Sequence, residues 1–252
     1  VHPRFERGKN LPGLEKAISF TKKSRALGLG VCGLHTLLQK RRYVFGGFES
    51  MMLNNEIFRK LDKDSKAASF ELAQTWGEPE WMKGHGMANT HRLAVAPTKS
   101  TALIMGGVSE GINPDTAMVF TQRTPAGEVN RINPVLLDIM REKGVYNITN
   151  VESIRDAMGS IQHVDWLDEH EKEVFKTAFE IPQMSVIKMA SQRAKYLDQW
   201  QSLNLFFSSS ESEEYISEVH KEAFEDPNIL ALYYVYSMAG VQSSKDECLS
   251  CM

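Results

Sequence analysis

Three short stretches of this 252-residue chain carry side chains whose types and spacing could do chemistry. The first is Pro97-Thr98-Lys99-Ser100-Thr101. It follows Leu93-Ala94-Val95-Ala96, an apolar run that reads as a buried strand ended by proline. Where a helix opens after such a strand, its first backbone N–H groups are unpaired and attract anions. Thr98, Ser100 and Thr101 add hydroxyl donors and Lys99 adds charge, a set that suits a phosphate. Ser and Thr are also ordinary N-caps, and taken alone the residues fit that plainer use better. The second stretch is Tyr233-Tyr234. Adjacent phenols usually serve as half-buried packing, each hydroxyl finding one partner. Their other use is to relay an electron, each oxidised ring passing its proton to a neighbour. The third is Cys248-Leu249-Ser250-Cys251, in a polar terminal segment. With no second ligand pair it is not a structural zinc site. Such a pair closes a small disulfide ring readily and has one thiol of lowered pKa. On a tether it meets another site at an effective concentration of about millimolar, as a carrier of reducing equivalents.

Other chemical residues read more plainly. Cys32, between Val31 and Gly33, reads as a small buried hydrophobe. His85 and His91 read as satisfied loop histidines. Gly28, Gly30 and Gly33 match Gly-x-Gly-x-x-Gly, with Glu49 near the distance of a ribose-binding acid. No strand is expected before them, so close packing at a helix start accounts for the glycines.

The elements that must hold these groups follow from periodicity. Helices are expected over 13–25, 34–40, 48–75, 132–143, 148–158, 168–179, 181–200 and 215–225. A loop turning into a helix is expected over 98–105, and short strands over 93–97 and 203–207. The stretch 77–86 reads as a loop, and everything after Tyr236 as a mobile tail. Few strands, each followed by a helix, indicate α/β with parallel strands too few to close a sheet. Such edges need cover from another segment. The start at Val1 likewise suggests a piece of something longer, or loss of an initiator Met.

Composition narrows the class. Lys plus Arg is 29 against 32 Asp plus Glu, a net charge of −3, which speaks against a nucleic-acid binder held by bulk positive charge. Hydrophobic residues at 42% and charged residues at 24% exclude collagen-like, disordered and disulfide-scaffold chains. No uncharged stretch reads as a membrane span, and no apolar core follows the basic start as a signal peptide requires. Three cysteines without a disulfide framework point to a reducing, cytoplasmic setting.

Read in order, the Pro-Thr-Lys-Ser-Thr loop, Gly159-Ser160-Ile161-Gln162, Asp198-Gln199-Trp200-Gln201-Ser202-Leu203-Asn204, Leu232-Tyr233-Tyr234 and the terminal cysteine pair form one pattern. It closely resembles the C-terminal third of the large (alpha) subunit of class I ribonucleoside-diphosphate reductase. Arg25 to Val31, Asn113-Pro114 and Ile132-Asn133-Pro134 fall where that family has matching turns and pairs. The resemblance implies an α/β fold, the C-terminal part of a ten-stranded α/β barrel over 1–236, with a flexible redox tail over 237–252. It implies that Pro97, Thr98, Lys99, Ser100 and Thr101 hold the substrate diphosphate. Tyr234 would take a radical from the metal-containing small (beta) subunit and pass it through Tyr233 to a cysteine at the ribose. Cys248 and Cys251 would reduce the active-site disulfide and be re-reduced by thioredoxin or glutaredoxin. No cofactor is expected on this chain itself.

Departures shape the expectation. The family's substrate-side cysteines, its Asn-x-Cys-x-Glu motif and its regulatory cone have no counterpart here, and Cys32 lies in the wrong motif for the thiyl cysteine. Trp200 stands where a small residue is usual, and Lys99 where Ala or Glu is common. The chain is therefore expected to be one piece of a split large subunit, or a truncated fragment of one, inactive alone and in need of the N-terminal piece. The alternative from another class is a non-catalytic module that only binds a nucleotide or a partner. A pure binder has no use for the phenols or the dithiol.

Overall fold

A computed structural model describes residues 13–124 and 127–238. Its helices are α1 (Glu15–Ser24), α2 (Leu34–Arg41), α3 (Phe48–Trp76), α4 (Lys99–Ile104), α5 (Pro134–Glu142), α6 (Ile148–Asp156), α7 (Glu169–Val174), α8 (Gln183–Ala194) and α9 (Glu213–Glu225). The strands are β1 (Val119–Thr124), β2 (Gly127–Ile132), β3 (Asn204–Phe207) and β4 (Tyr234–Ser237).

Side-chain caps start four of these helices. Asn133 caps α5, its Oδ1 accepting from the N–H groups of Val135 and Leu136 at 3.0 Å, with Pro134 at the first helical position. Asp168 and Glu171 form a reciprocal capping box on α7. Asn147 and Ser212 cap α6 and α9.

Four extended segments lie side by side in parallel. Leu29 pairs with Leu93, Val95 pairs with Gln201, and β3 pairs with β4 in the register Asn204↔Tyr234 to Phe207↔Ser237. Backbone bonds continue the ladder: Leu27 N–H donates to His91 O, Ser202 N–H to Val95 O and Tyr233 N–H to Leu203 O. Helices make every crossover: α2 and α3 join the first two segments, α4 to α8 the next two, and α9 joins β3 to β4. This is the open arc of an α/β barrel, with parallel strands too few to close. Three hydrophobic clusters hold it. One packs α2, α3 and α8 under Val95 and Leu203, and a second joins α8, β3 and α9. The third gathers β1, α5, α6 and α7 into a side lobe.

Several expectations need correction. β1 and β2 form an antiparallel hairpin, Val119↔Ile132 to Thr124↔Gly127, where no strand was expected. The helix expected over 168–179 ends at Val174, and that over 181–200 ends at Ala194. The second ends early because Asp198 has left the helix. Its Oδ2 accepts from the backbone N–H groups of Arg92 (2.7 Å) and Leu93 (2.9 Å), which seats 198–202 beside the second strand. An extended segment does precede Gly33, contrary to expectation, but Gly28 and Gly30 lie inside it rather than at a phosphate turn. A Cβ on Gly30 would stand 2.5 Å from Ala94 O, so these glycines let two strands approach. The boundary expected at 236/237 falls inside β4. Cys32 is only half-buried, its Sγ 3.7 Å from Ser109 O.

Candidate functional site

The strand-to-helix turn at Pro97–Thr101 forms as expected, but Thr98 does not cap with its side chain. It sits at φ 58°, and its Oγ1 accepts the N–H of Gly111 at 2.8 Å, tying the loop to 110–113. Pro97 and Thr98 are half-buried. Lys99, Ser100 and Thr101 are exposed on the first turn of α4, the turn whose N–H groups have no intrahelical partner. Lys99 also lines a cleft of about 450 Å³, together with Glu110, Asp115, Asn204, Phe206 and Tyr236. Glu110 holds its proton more tightly than usual because it is partly buried and Asp115 is near, against the opposing pull of Lys99.

The floor of the cleft is a polar network. His35 is fully buried, and its Nδ1 accepts the backbone N–H of Asp115 at 2.9 Å. Asn133 Nδ2 donates to Asp115 Oδ2 (2.9 Å) and to Gln39 Oε1 (2.7 Å). Asn113 binds β3 on both sides, donating to Ser202 O (3.1 Å) and accepting from Asn204 N–H (3.2 Å). Asn204 in turn accepts the N–H of Tyr234 at 3.2 Å through its Oδ1. The motif residues Asn113, Asn133 and Asn204 are thus the frame of the cleft.

Tyr233 and Tyr234 pack edge to face, centroids 4.3 Å apart at 60°, and stand 52% and 51% exposed, too open for simple core packing. The hydrogen bond to Tyr234, then its nearby charge, raises the Tyr233 phenol above its ordinary pKa. Tyr236 is raised first by burial and then by the Glu110 carboxylate. Tyr234 therefore shares a strand with a wall of the cleft, and Tyr233 directly precedes it.

Behind the site, Arg193 is fully buried on α8. Its Nε donates to Gln201 Oε1 (2.5 Å) and its Nη1 to Asn54 Oδ1 (3.1 Å), with the guanidinium 5.8 Å over the Phe58 ring. Burial alone pulls its pKa down to about 9. Gly159, at φ 80°, passes so near Ala117 that a Cβ would lie 2.3 Å away, and Ser160 donates to Glu180 Oε1 at 2.5 Å. His85 and His91 are exposed and line no part of the cleft. Cys248 and Cys251 lie outside the described residues. Among the described residues no group of three or more His, Cys, Asp or Glu could hold a metal ion.

The family model for the ribonucleotide reductase barrel domain matches residues 9–85 and 75–235. The chain belongs to the ribonucleotide reductase family. The large subunit of ribonucleoside-diphosphate reductase from Invertebrate iridescent virus 6 is 36% identical over 230 residues, 90% of this chain and 24% of that protein. The corresponding Danio rerio subunit is 31% identical over 224 residues, 76% of this chain and 28% of that one. The solved class Id ribonucleotide reductase alpha subunit of Actinobacillus ureae superposes with a TM-score of 0.84 at 40% identity, covering 93% of this chain and 43% of its own. The chain spans less than half the length of these reductase relatives. The arc of parallel strands is accordingly part of the ten-stranded reductase barrel.

Glu110, Asp115, Arg193 and Tyr236 belong to the site or its support without having been expected there from the sequence. Glu110 and Asp115 are single loop letters with no spacing to mark them. Arg193 reads as the polar side of an amphipathic helix, yet it is interior. Tyr236 did carry a signal, since Tyr234 and Tyr236 sit two apart on a strand and share a face.

Proposed function

We propose that this chain is the C-terminal part of a ribonucleoside-diphosphate reductase large subunit. It would reduce ribonucleoside diphosphates together with an N-terminal large-subunit piece and a small radical subunit. The observation that carries this is the ring pair Tyr233–Tyr234, in edge contact with centroids 4.3 Å apart, half-exposed at one end and joined through β4 to the cleft at the other. Tyr234 gives an electron and its phenolic proton to the oxidant delivered by the small subunit. It recovers both from Tyr233, which takes them from a cysteine thiol supplied by the N-terminal piece, leaving a thiyl radical at the ribose. Lys99, Ser100, Thr101 and the free N–H groups of the α4 turn hold the diphosphate, with Pro97 and Thr98 shaping the turn. The dithiol of Cys248 and Cys251 reduces the active-site disulfide by exchange, becomes a disulfide itself, and is reset by thioredoxin or glutaredoxin. The small subunit's metal centre supplies the radical, and this chain needs no cofactor of its own. A reducing cytoplasmic setting suits that cycle.

Leu27 and Leu29 on the first parallel segment are 53% and 50% exposed, an apolar edge suited to the companion piece. An obligate interface of this kind buries more than about 2,000 Å². Reconstitution tests the proposal. This chain, the N-terminal piece and the small subunit are mixed in all combinations, and deoxynucleoside diphosphate is measured. Only the complete mixture is expected to make product. Product from a mixture lacking this chain, or none from the complete one, defeats the proposal.

A further inference from the structure

Tyr236 has no part in the scheme above, yet it stands between its two halves. It follows Tyr234 by two residues on β4, so both side chains leave the same face. Its ring centroid is 5.7 Å from that of Tyr234, tilted by 50°. On its other side it stacks on Phe206 at 5.1 Å and 12°, nearly parallel. Phe206 is its direct register partner across the β3–β4 pair and is buried, so a fixed ring sets the place of Tyr236. Phe206 meets Phe179 edge-on at 5.6 Å. Rings therefore run in contact from Tyr233 to Phe179, and Tyr236, Phe206 and Phe179 line the cleft.

We propose that Tyr236 is a positioning residue for the phenol pair: clamped on Phe206, its ring fixes the plane of Tyr234, and its cleft-side face transmits the filling of the cleft to Tyr234. Its hydroxyl meets the cleft as a neutral phenol, as an ordinary tyrosine does, and burial and the nearby Glu110 carboxylate raise its pKa further. Transfer between two rings depends steeply on their mutual geometry, and a Tyr234 ring free to swing spends less time in a productive one.

The inference rests on the radical role proposed for Tyr233 and Tyr234, and two readouts keep them apart. The first uses the reconstituted reductase with Tyr236→Leu and Tyr236→Phe. Leucine removes the ring, and kcat is expected to fall about tenfold with KM held within about twofold, because geometry and not binding is lost. Phenylalanine keeps the stack and is expected to restore most of kcat. An unchanged kcat in Tyr236→Leu overturns the proposal, as does a Phe variant as impaired as the Leu one. The second readout needs no turnover. 3-Fluorotyrosine is placed at Tyr234 in the assembled large subunit, and its fluorine resonance is followed as a nucleoside diphosphate is added. The resonance is expected to move with Tyr236 or Phe at 236 and to stay put with Leu. Equal movement in all three, or none with Tyr236, overturns the proposal. Should Leu disturb assembly, Tyr236→Met replaces it with the same expectations. A wild-type assembly that makes no product, yet shows the expected fluorine pattern, defeats the radical role and leaves the positioning role standing.

Discussion

The segment 198–204 and the pair Tyr233–Tyr234 touch along one strand boundary but are built on opposite terms. In the first, Asp198 is bound by Arg92 and two backbone N–H groups, Gln201 is bound to Arg193, and Asn204 clips Tyr234. Apart from the buried Ser202 hydroxyl, these groups are spoken for. In the second, two phenols stand half in solvent with mainly each other as partner. The loop Lys99–Thr101 shares that openness. The contrast separates residues that hold shape from residues left available to a reaction partner. It predicts that substitutions in one set move stability, and in the other turnover.

The sharpest break of that contrast comes from the phenols. Tyr233→Phe or Tyr234→Phe keeps ring packing but removes the oxidisable O–H, so turnover of the reconstituted enzyme should fall to background. Stability should change by no more than about 0.5 kcal/mol, as at other exposed positions. Single-turnover product from either variant would place the phenols with the scaffold. Changing Cys248 and Cys251 to Ser should abolish thioredoxin-supported turnover yet leave one round of reduction, and dithiothreitol should restore much of the rest. Full thioredoxin-dependent activity would remove the tail from the cycle.

On the scaffold side, Arg193→Ala strands the Asn54 and Gln201 carbonyl oxygens in the interior. The cost should be about 1–3 kcal/mol for each group left unsatisfied, read by chemical denaturation of the assembled subunit. A loss of turnover without a loss of stability would reverse the assignment of Arg193. Ser100→Ala with Thr101→Ala should weaken nucleoside-diphosphate binding by about 1–3 kcal/mol in titration calorimetry, with denaturation unchanged. Equal affinity would leave this turn as an ordinary helix start. The smallest effect is expected at Asp198. Burial pushes its carboxyl up, but the Leu93 and Arg92 N–H groups and the Arg92 guanidinium pull it down further, so the net pKa is lowered. Its contribution is present above the unfolded pKa of about 3.9 and is lost as pH falls through the lower folded value. Asp198→Asn should flatten that acid limb in a melting-temperature profile.

Residues alone revealed the strand-then-helix turn at 97–101, the helices α3, α5, α6 and α9, and the short strand β3, because periodicity and caps act locally. They did not reveal the β1–β2 hairpin, whose short apolar run Ala117–Phe120 passes at once into the polar stretch Thr121–Thr124. Nor did they show that α8 stops at Ala194, because the cause is an aspartate binding backbone more than a hundred residues away. The residues proposed to react stand out in the sequence by type and order. The frame around them, Asn113 to Ser202 and Asn204 to Tyr234, is made of long-range pairs that no local spacing marks.

The position of β4 carries one more consequence. Among the described residues it pairs with β3 alone, so one of its edges is open. A strand held from one side opens at a lower free energy than the layers behind it, and its amides should exchange with solvent sooner than those of β3. The phenols are thus mounted at an edge layer of the sheet, Tyr234 on β4 and Tyr233 directly before it. A protein that docks against that edge would slow its opening and gain affinity from doing so. Recognition of a partner and stiffening of the electron path would then be the same event.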